Sequence, residues 1–126
     1  MKISSLDHLV LTVASIENTC KFYVDLLGMQ KVVFGEGRTA LCFGNQKLNL
    51  HQKGYEFEPK AAYPAPGSAD ICFIAHTPLD QVIEEITTRG ETILQGPVEK
   101  TGAKGQMMSI YLRDPDLNLI EISNYI

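Results

Sequence analysis

The chain has 126 residues, enough for one domain or for two small half-domains that share a core. Its net charge of −4 and its pI near 5.3 argue against a nucleic-acid-binding protein, which usually carries a basic face. No apolar run approaches the roughly 20 residues that span a bilayer, and the N-terminus has no signal-peptide pattern. We therefore expect a cytoplasmic protein that does not enter a membrane.

The cysteine content is consistent with a reducing compartment. The three cysteines are an odd number and lie in or beside apolar segments. We expect buried, reduced thiols, and no zinc site made only of cysteines, because no two of them are close in sequence. They are Cys20, Cys42 and Cys72.

The chain contains an internal repeat. The first half opens with the segment Asp7–Val13, in which mainly apolar residues follow His8. The second half opens with a similar segment, Ala69–Ala75, in which apolar residues follow Asp70. Gly28 follows His8 by twenty residues, and Gly90 follows Asp70 by the same number. This spacing predicts a duplicated structural unit.

The first copy has the pattern of a strand, a helix and three strands. The opening strand starts at His8 and is apolar at consecutive positions, so we expect it to be buried on both faces. Ser15 is a suitable N-cap for a helix over Ile16–Leu27, which Gly28 would end. Three strands separated by turn-forming residues follow, at Gln30–Phe34, Thr39–Phe43 and Lys47–His51.

The second copy repeats this order after a linker over residues 53–68, which is rich in proline. A strand over Ile71–Ala75 is followed by a helix with Thr77 as N-cap and Pro78 at its first position. We expect a basic loop over Lys100–Gly105 and a last turn at Asp114–Asp116. The remaining strands are predicted at Thr92–Leu94, Gln106–Leu112 and Leu119–Ser123. The sequence thus predicts an α+β fold of two βαβββ modules, residues 1–52 and 69–126.

Potential metal ligands occur at matching places in the two copies. His8 and Asp70 share one position of the repeat, and His51 lies with Asn49 on the polar side of an alternating strand. Glu121 is flanked by apolar residues, where a carboxylate is costly unless it is paired or binds a cation. Because imidazole and carboxylate are common ligands of divalent ions, His8, His51, Asp70 and Glu121 predict a metal site between the copies.

Each of these residues also has a simpler explanation. A histidine at the start of an apolar strand is more often a satisfied core or turn residue than a ligand. Glu121 could instead form a salt bridge with Arg113 or with a lysine. The repetition of a potential ligand at one strand position favours the metal site.

At these residues the sequence resembles the vicinal oxygen chelate superfamily of glyoxalases, bleomycin-resistance proteins and extradiol dioxygenases. The resemblance covers essentially the whole chain and is closest to the glyoxalase domain-containing protein 5 group. The superfamily patterns are matched by Asp7-His8-Leu9, Phe22-Tyr23 with Leu27-Gly28-Met29, and Asp114–Glu121. The group is suggested by Lys47–His51, Phe57–Ala61 and Thr101–Gly105.

The resemblance implies two modules that form a cupped mixed sheet around a divalent ion. Carried over to this chain, the first-strand ligand is His8 and the last-strand ligand is Glu121. The second ligand falls on Asn49 or His51, of which the histidine is the better metal ligand. The third is usually a histidine, but here it is Asp70. The ion could be nickel, zinc, cobalt, manganese or iron.

The implied activity is that of a metal-dependent, glyoxalase-like lyase or isomerase acting on a small substrate that chelates the metal through vicinal oxygens. Glu121 or a metal-bound hydroxide would be the catalytic base. One alternative is a non-haem iron dioxygenase with the triad His8, His51 and Glu121. Another is a non-catalytic protein that binds a small molecule such as an antibiotic. Relatives of this length pair as dimers, so we expect a homodimer whose sites are completed by both chains. The alternative is a monomer whose site lies within one chain.

Overall fold

The computed structural model describes all 126 residues, which divide into two compact modules, Met1–Gly67 and Ser68–Ile126. Each module consists of one strand, one helix and three further strands, so the predicted fold of two βαβββ modules is confirmed. No helix or strand lies between the last strand of the first module and the first strand of the second module. The elements are β1 (His8–Val13), α1 (Ile16–Asp25), β2 (Gln30–Phe34), β3 (Arg38–Phe43), β4 (Gln46–Gln52), β5 (Asp70–Ile74), α2 (Leu79–Thr88), β6 (Gln95–Gly102), β7 (Gly105–Arg113) and β8 (Leu119–Tyr125).

The two modules have the same sheet topology. The strand order is β1-β4-β3-β2 in the first module and β5-β8-β7-β6 in the second. In both sheets the first strand pairs in parallel with the last, and the other pairs are antiparallel. The two copies can therefore be aligned by comparing the ladder between the first and last strands of one sheet with the same ladder of the other sheet.

Each sheet packs one face against its helix, because apolar residues alternate along the strands. In the first module the helix-facing positions include Leu11, Leu41 and Leu50, all of which are buried. Helix α1 covers them with Tyr23, which is fully buried. In the second module the buried face is formed by Ile110, Leu112, Ile120 and Ile122, against helix α2.

Helix α1 begins as the sequence indicates and ends earlier. The Ser15 hydroxyl accepts a hydrogen bond from the backbone N–H of Asn18 at 3.1 Å, which confirms the N-cap. The helix ends at Asp25 rather than at Leu27. The reason is a C-terminal turn around Gly28, which has φ +71° and donates its N–H to the Val24 carbonyl.

The opening strand is not buried on both faces, contrary to the sequence-based expectation. Its second half contributes Leu11 and Val13 to the core, whereas Leu9 and Val10 remain 38% and 41% exposed. Continuous apolar character therefore does not mark burial along the whole strand.

Helix α2 is capped in an unexpected way. Pro78 is its N-cap residue, and no side-chain cap from Thr77 is present. Instead the Asn124 side chain of β8 accepts a hydrogen bond from the N–H of Leu79 at 2.7 Å and donates to the carbonyls of Ala75 and Thr77. A residue at the other end of the module thus satisfies backbone groups around the helix start.

The predicted strand at Thr92–Leu94 and the predicted loop at Lys100–Gly105 are both wrong. The strand is Gln95–Gly102, and it forms a hairpin with β7. Lys100 therefore lies within a strand, and only a tight turn separates the two strands. Because β6 is an edge strand whose residues are mostly exposed, its sequence lacks the apolar alternation that marks a strand.

The cysteines are free, and only Cys20 is buried; Cys42 is partly exposed and Cys72 is exposed. The expected burial of all three is therefore wrong. Both helices are ten residues long and cannot cross a membrane.

Candidate functional site

Polar side chains collect on the face of each sheet that lies opposite its helix, here called the helix-free face. Strand alternation and the ladder registers define this face in both modules. In the first module it includes His8, Val10, Thr12, Phe34, Arg38, Ala40, Cys42, Lys47, Asn49 and His51. In the second it includes Asp70, Cys72, Ile74, Ser109, Tyr111, Glu121 and Ser123.

The registers decide which candidate of the first module corresponds to Glu121. In the second module Glu121 lies opposite Cys72, two residues after Asp70. In the first module the residue opposite Val10, two residues after His8, is Asn49. Asn49 is therefore the structural counterpart of Glu121, and His8 is the counterpart of Asp70.

His51 occupies the next position of the helix-free face along β4. It lies opposite Thr12, just as Ser123 lies opposite Ile74 in the second module. By register, His51 therefore corresponds to Ser123 and not to Glu121. The two histidines of the first module, His8 and His51, lie at opposite ends of the β1–β4 ladder.

The Asn49 side chain has an unusual environment for a buried amide. The residue is 6% exposed, and its Oδ1 atom is buried without a hydrogen-bond partner from the protein. Such groups are rare because the lost hydrogen bond to water is not replaced. A ligand atom that binds this amide would remove the deficit.

His51 is held in an electropositive setting. It is 3% exposed, and its Nε2 atom lies 3.5 Å from Nη2 of Arg38, which donates to it. Burial lowers the pKa of His51, and the positive charge of Arg38 lowers it further. The imidazole is therefore neutral at physiological pH, with its Nε2 lone pair engaged by a guanidinium.

His8 is accessible and oriented. Its side chain is 43% exposed, and its Nδ1 atom lies 2.8 Å from a carboxylate oxygen of Asp7. This contact leaves Nε2 free. A carboxylate on one imidazole nitrogen is the usual way in which a protein orients a histidine whose other nitrogen binds a metal.

In the second module Glu121 belongs to a chain of hydrogen bonds. One of its oxygens accepts a hydrogen bond from the Ser123 hydroxyl at 3.3 Å, and Ser123 in turn lies 2.6 Å from the hydroxyl of Ser109. The Cys72 thiol is 3.3 Å from the same Ser123 oxygen. No ion pair involves Glu121, so the salt bridge to Arg113 is not formed.

Two further groups close to Glu121 have raised pKa values. Burial raises the pKa of Tyr111, and the Glu121 carboxylate on the neighbouring strand raises it further, so that the phenol stays protonated. Burial, opposed in part by Ser123, also raises the pKa of the Cys72 thiol. A protonated thiol is a weak nucleophile, which argues against a catalytic cysteine.

The predicted ligands fall into two pairs. Neither module contains three or more His, Cys, Asp or Glu side chains that could hold a metal ion by themselves. The first contributes His8 with Asn49 or His51, and the second contributes Asp70, which is exposed, and the half-buried Glu121. Metal sites commonly use three or more protein ligands, and neither module supplies that number by itself.

Sequence reasoning missed several residues of this face. Ser109 and Tyr111 alternate with Met108, Ile110 and Leu112 along β7, so the period of two could have identified them as one polar row. Arg38 follows a glycine turn, and no sequence signal connects it with His51. Only the hairpin register brings the two together.

The comparison with known families is decisive for the fold. The family model of the Glyoxalase/Bleomycin resistance protein/Dioxygenase superfamily matches residues 5–122. The chain belongs to this superfamily. Virulence protein STM3117 of Salmonella typhimurium is 58% identical over 126 residues, covering the whole chain and 88% of that protein. Glyoxalase domain-containing protein RDO1 of Mycosarcoma maydis is 52% identical over 125 residues, covering 99% of the chain and 70% of that protein.

Solved structures agree with this membership. The crystal structure of STM3117 superposes with a TM-score of 0.99 over the full length of both chains. Two further solved structures are each 20% identical to this chain and share its fold alone. They are a lactoylglutathione lyase from Agrobacterium tumefaciens, with a TM-score of 0.76 over 98% of this chain and 96% of that one, and the antibiotic-binding protein TnmS3 from Streptomyces, with 0.77 over 100% and 99%.

Proposed function

We propose that this member of the glyoxalase superfamily is a metal-dependent lyase or isomerase acting on a small substrate that chelates the ion through two neighbouring oxygens. One observation carries the proposal: the same two register positions hold donor side chains in both modules. These are His8 and Asn49 in the first module and Asp70 and Glu121 in the second. A shared role as ligands would explain why both modules have polar side chains at these equivalent positions of the sheet face.

These four side chains fit a divalent ion. His8 has a free Nε2 and a carboxylate behind it, and Asn49 has a buried oxygen that lacks a partner. With two carboxylates they form a mixed set of nitrogen and oxygen donors, which suits nickel, cobalt, manganese, iron or zinc. His51 is the alternative to Asn49, but the Arg38 contact at its Nε2 and the nearby positive charge favour Asn49 as the fourth ligand.

The chain's own residues support proton transfer at Glu121. When bound, the metal would polarise a substrate carbonyl and so acidify the neighbouring C–H bond. Glu121 would accept this proton and return it to the adjacent position, which makes the reaction an isomerisation. Ser123 holds the carboxylate by donating a hydrogen bond to it, and Tyr111 lies opposite Glu121 on the neighbouring strand.

The test begins with the metal content of protein purified without chelator. The protein is then loaded with nickel, zinc, cobalt or manganese and offered the hemithioacetal of methylglyoxal and glutathione, followed by other vicinal-oxygen substrates. We expect turnover to depend on the metal and to fall by about 100-fold or more in Glu121→Gln. Glu84→Gln, on an exposed side of α2, is the matched control. If no added metal binds, the proposal is wrong.

The second candidate is a protein that binds a small molecule without transforming it. It is favoured by Asp70 where relatives of this fold usually have a histidine, and by an amide, Asn49, at the position that corresponds to Glu121. The fold shared with the antibiotic-binding TnmS3 is compatible with it. Tight ligand binding by metal-free protein, together with no stoichiometric metal, would support this candidate over the enzyme.

The iron dioxygenase ranks lower because its triad requires His51. That imidazole already accepts a hydrogen bond from Arg38. Iron-dependent oxygen uptake with a catechol would reverse this ranking.

The proposal includes a homodimer in the cytoplasm. Two donors per module leave a site that a second module must complete, and a two-fold pair of chains would form two equivalent sites. In each, His8 with Asn49 or His51 would face Asp70 and Glu121 of the second chain. The free cysteines agree with a reducing compartment.

A further inference from the structure

A cationic and aromatic cluster lies on the helix-free face of the first module. The guanidinium carbon of Arg38 is 5.4 Å from the ring centroid of Phe34 and 4.8 Å from that of Phe57. Nζ of Lys47 lies over the Phe34 ring at 4.0 Å. His51 stands edge-on to Phe57 with the ring centroids 5.7 Å apart, and it accepts a hydrogen bond from Arg38. We call these five residues the Arg38 cluster.

No carboxylate neutralises the two charges of the cluster. None of the ion pairs in the structure involves Arg38 or Lys47. Glu56, whose charge acts on His51 of the cluster, accepts a hydrogen bond from the N–H of Gly54 at 2.6 Å and pairs with Lys60 at 3.6 Å. Its charge is therefore already engaged.

The guanidinium is held in place with most of its donors unused. Arg38 is half-buried, and of its five N–H groups only one makes a hydrogen bond within the protein, to His51. Two aromatic rings restrict its plane, which reduces the entropy lost when a ligand binds. A preorganised, partly desolvated guanidinium is suited to bidentate recognition of an oxyanion.

The cluster is continuous with the candidate metal ligands. Asn49 lies between Lys47 and His51 on β4, and alternate residues of a strand on one face are about 6.6 Å apart. Its Oδ1 atom is buried without a partner. One small molecule could therefore contact the cluster and the Asn49 amide together.

We propose that the Arg38 cluster binds the oxyanion of the protein's small-molecule ligand, a carboxylate or a phosphate, with the guanidinium as the bidentate donor and Lys47 as a second positive charge. The substrate class that follows is an anionic molecule with vicinal oxygens, and this part rests on the proposed function. Anion binding itself does not require the metal.

The experiment uses full-length, chelator-treated protein, so that its outcome is independent of metal binding. Two-dimensional NMR spectra of the backbone amides and the Arg38 side chain are recorded during titrations with lactate, with methyl lactate and with inorganic phosphate. We expect lactate or phosphate to shift the signals of Arg38 and Phe57, with a Kd in the millimolar range, and the neutral ester to leave them unchanged. Stronger binding of phosphate than of lactate would identify a phosphate-bearing ligand; the reverse would identify a carboxylate.

Variants separate the cluster from general surface charge. Arg38→Gln should weaken anion binding by at least about tenfold, because hydrogen bonds between charged groups are lost. Arg38→Lys should rescue only part of the affinity, since it keeps the charge but not the planar fork. Arg89→Gln, at the exposed end of α2, is the matched control and should bind like the wild type.

The inference is overturned if neither anion shifts these signals, or if folded Arg38→Gln binds anions as the wild type does. Circular dichroism and thermal unfolding establish that the variants are folded. Failure of the metal assays with intact anion binding would contradict the proposed function and leave this inference standing.

Discussion

At the scale of single residues, the helix-free faces contain two kinds of buried polar group. Ser109 and Ser123 are fully buried and bond to each other at 2.6 Å, so their burial is compensated. Asn49 is almost as deeply buried, yet its oxygen has no partner. A satisfied polar pair stabilises the fold, whereas an unsatisfied amide costs about 1–3 kcal/mol unless a ligand supplies the missing contact.

This difference predicts opposite effects of two substitutions on the metal-free protein. Asn49→Leu should leave the free energy of unfolding unchanged or raise it by about 1 kcal/mol, because it removes a buried amide without a partner. Ser109→Ala should lower it by about 1 kcal/mol, because Ser123 loses a hydrogen bond. Urea unfolding measures both. A loss of more than about 2 kcal/mol in Asn49→Leu would show that the amide serves the fold and not a ligand.

At the scale of elements, the β6–β7 hairpin depends on one close backbone approach. Gly96 has φ +110°, and a Cβ built there would lie 2.5 Å from the Ser109 carbonyl oxygen and 2.9 Å from Cα of Ile110. The register of the two strands shifts at this position, between Gln95 and Val98. The glycine therefore allows β6 to approach the central strand β7 of the sheet.

We expect Gly96→Ala to lower the free energy of unfolding by roughly 3 kcal/mol or more, from strain at positive φ together with overlap against backbone atoms. Gly90→Ala is the matched control, because its φ is +79° but no atom lies within 4 Å of the added Cβ. It should cost only about 1–2 kcal/mol. Equal losses in the two variants would mean that β6 can move away from β7 easily.

At the scale of the whole molecule, the proposed dimer makes a prediction about mixed chains. His8→Ala and Glu121→Ala each remove one donor, and they lie in different modules. If a site combines the first module of one chain with the second module of another, a mixed dimer has one site with both defects and one intact site. An equal mixture should then recover roughly a quarter of the wild-type metal sites.

Metal binding and activity of the mixture after joint refolding measure this recovery, and each variant refolded alone is the control. Mixed dimers that form without any recovery would show that each chain builds its own site. A monomer at all concentrations would exclude the shared site directly.

The sequence determined the order of the strands and helices and the duplication, because both depend on local patterns. Alternating apolar residues, the Ser15 cap and the glycine spacing identified the βαβββ order. The sequence failed where backbone groups are satisfied from a distance: Asn124 caps α2 across the module, and Gly96 is explained only by its contact with β7. Neither contact leaves a signal in neighbouring residues.

For the candidate site, the sequence determined which residue types were present. The tertiary structure decided which residues of the two modules correspond to each other and which side chains are in contact. One strand carries Asn49 and His51 on the same face, so alternation alone could not choose between them. The ladder between β1 and β4 aligns Asn49 with Glu121 of the second copy, and the β3 hairpin brings Arg38 to His51. Register depends on hydrogen bonds between strands far apart in the chain, which is why only the folded sheet distinguishes the two residues.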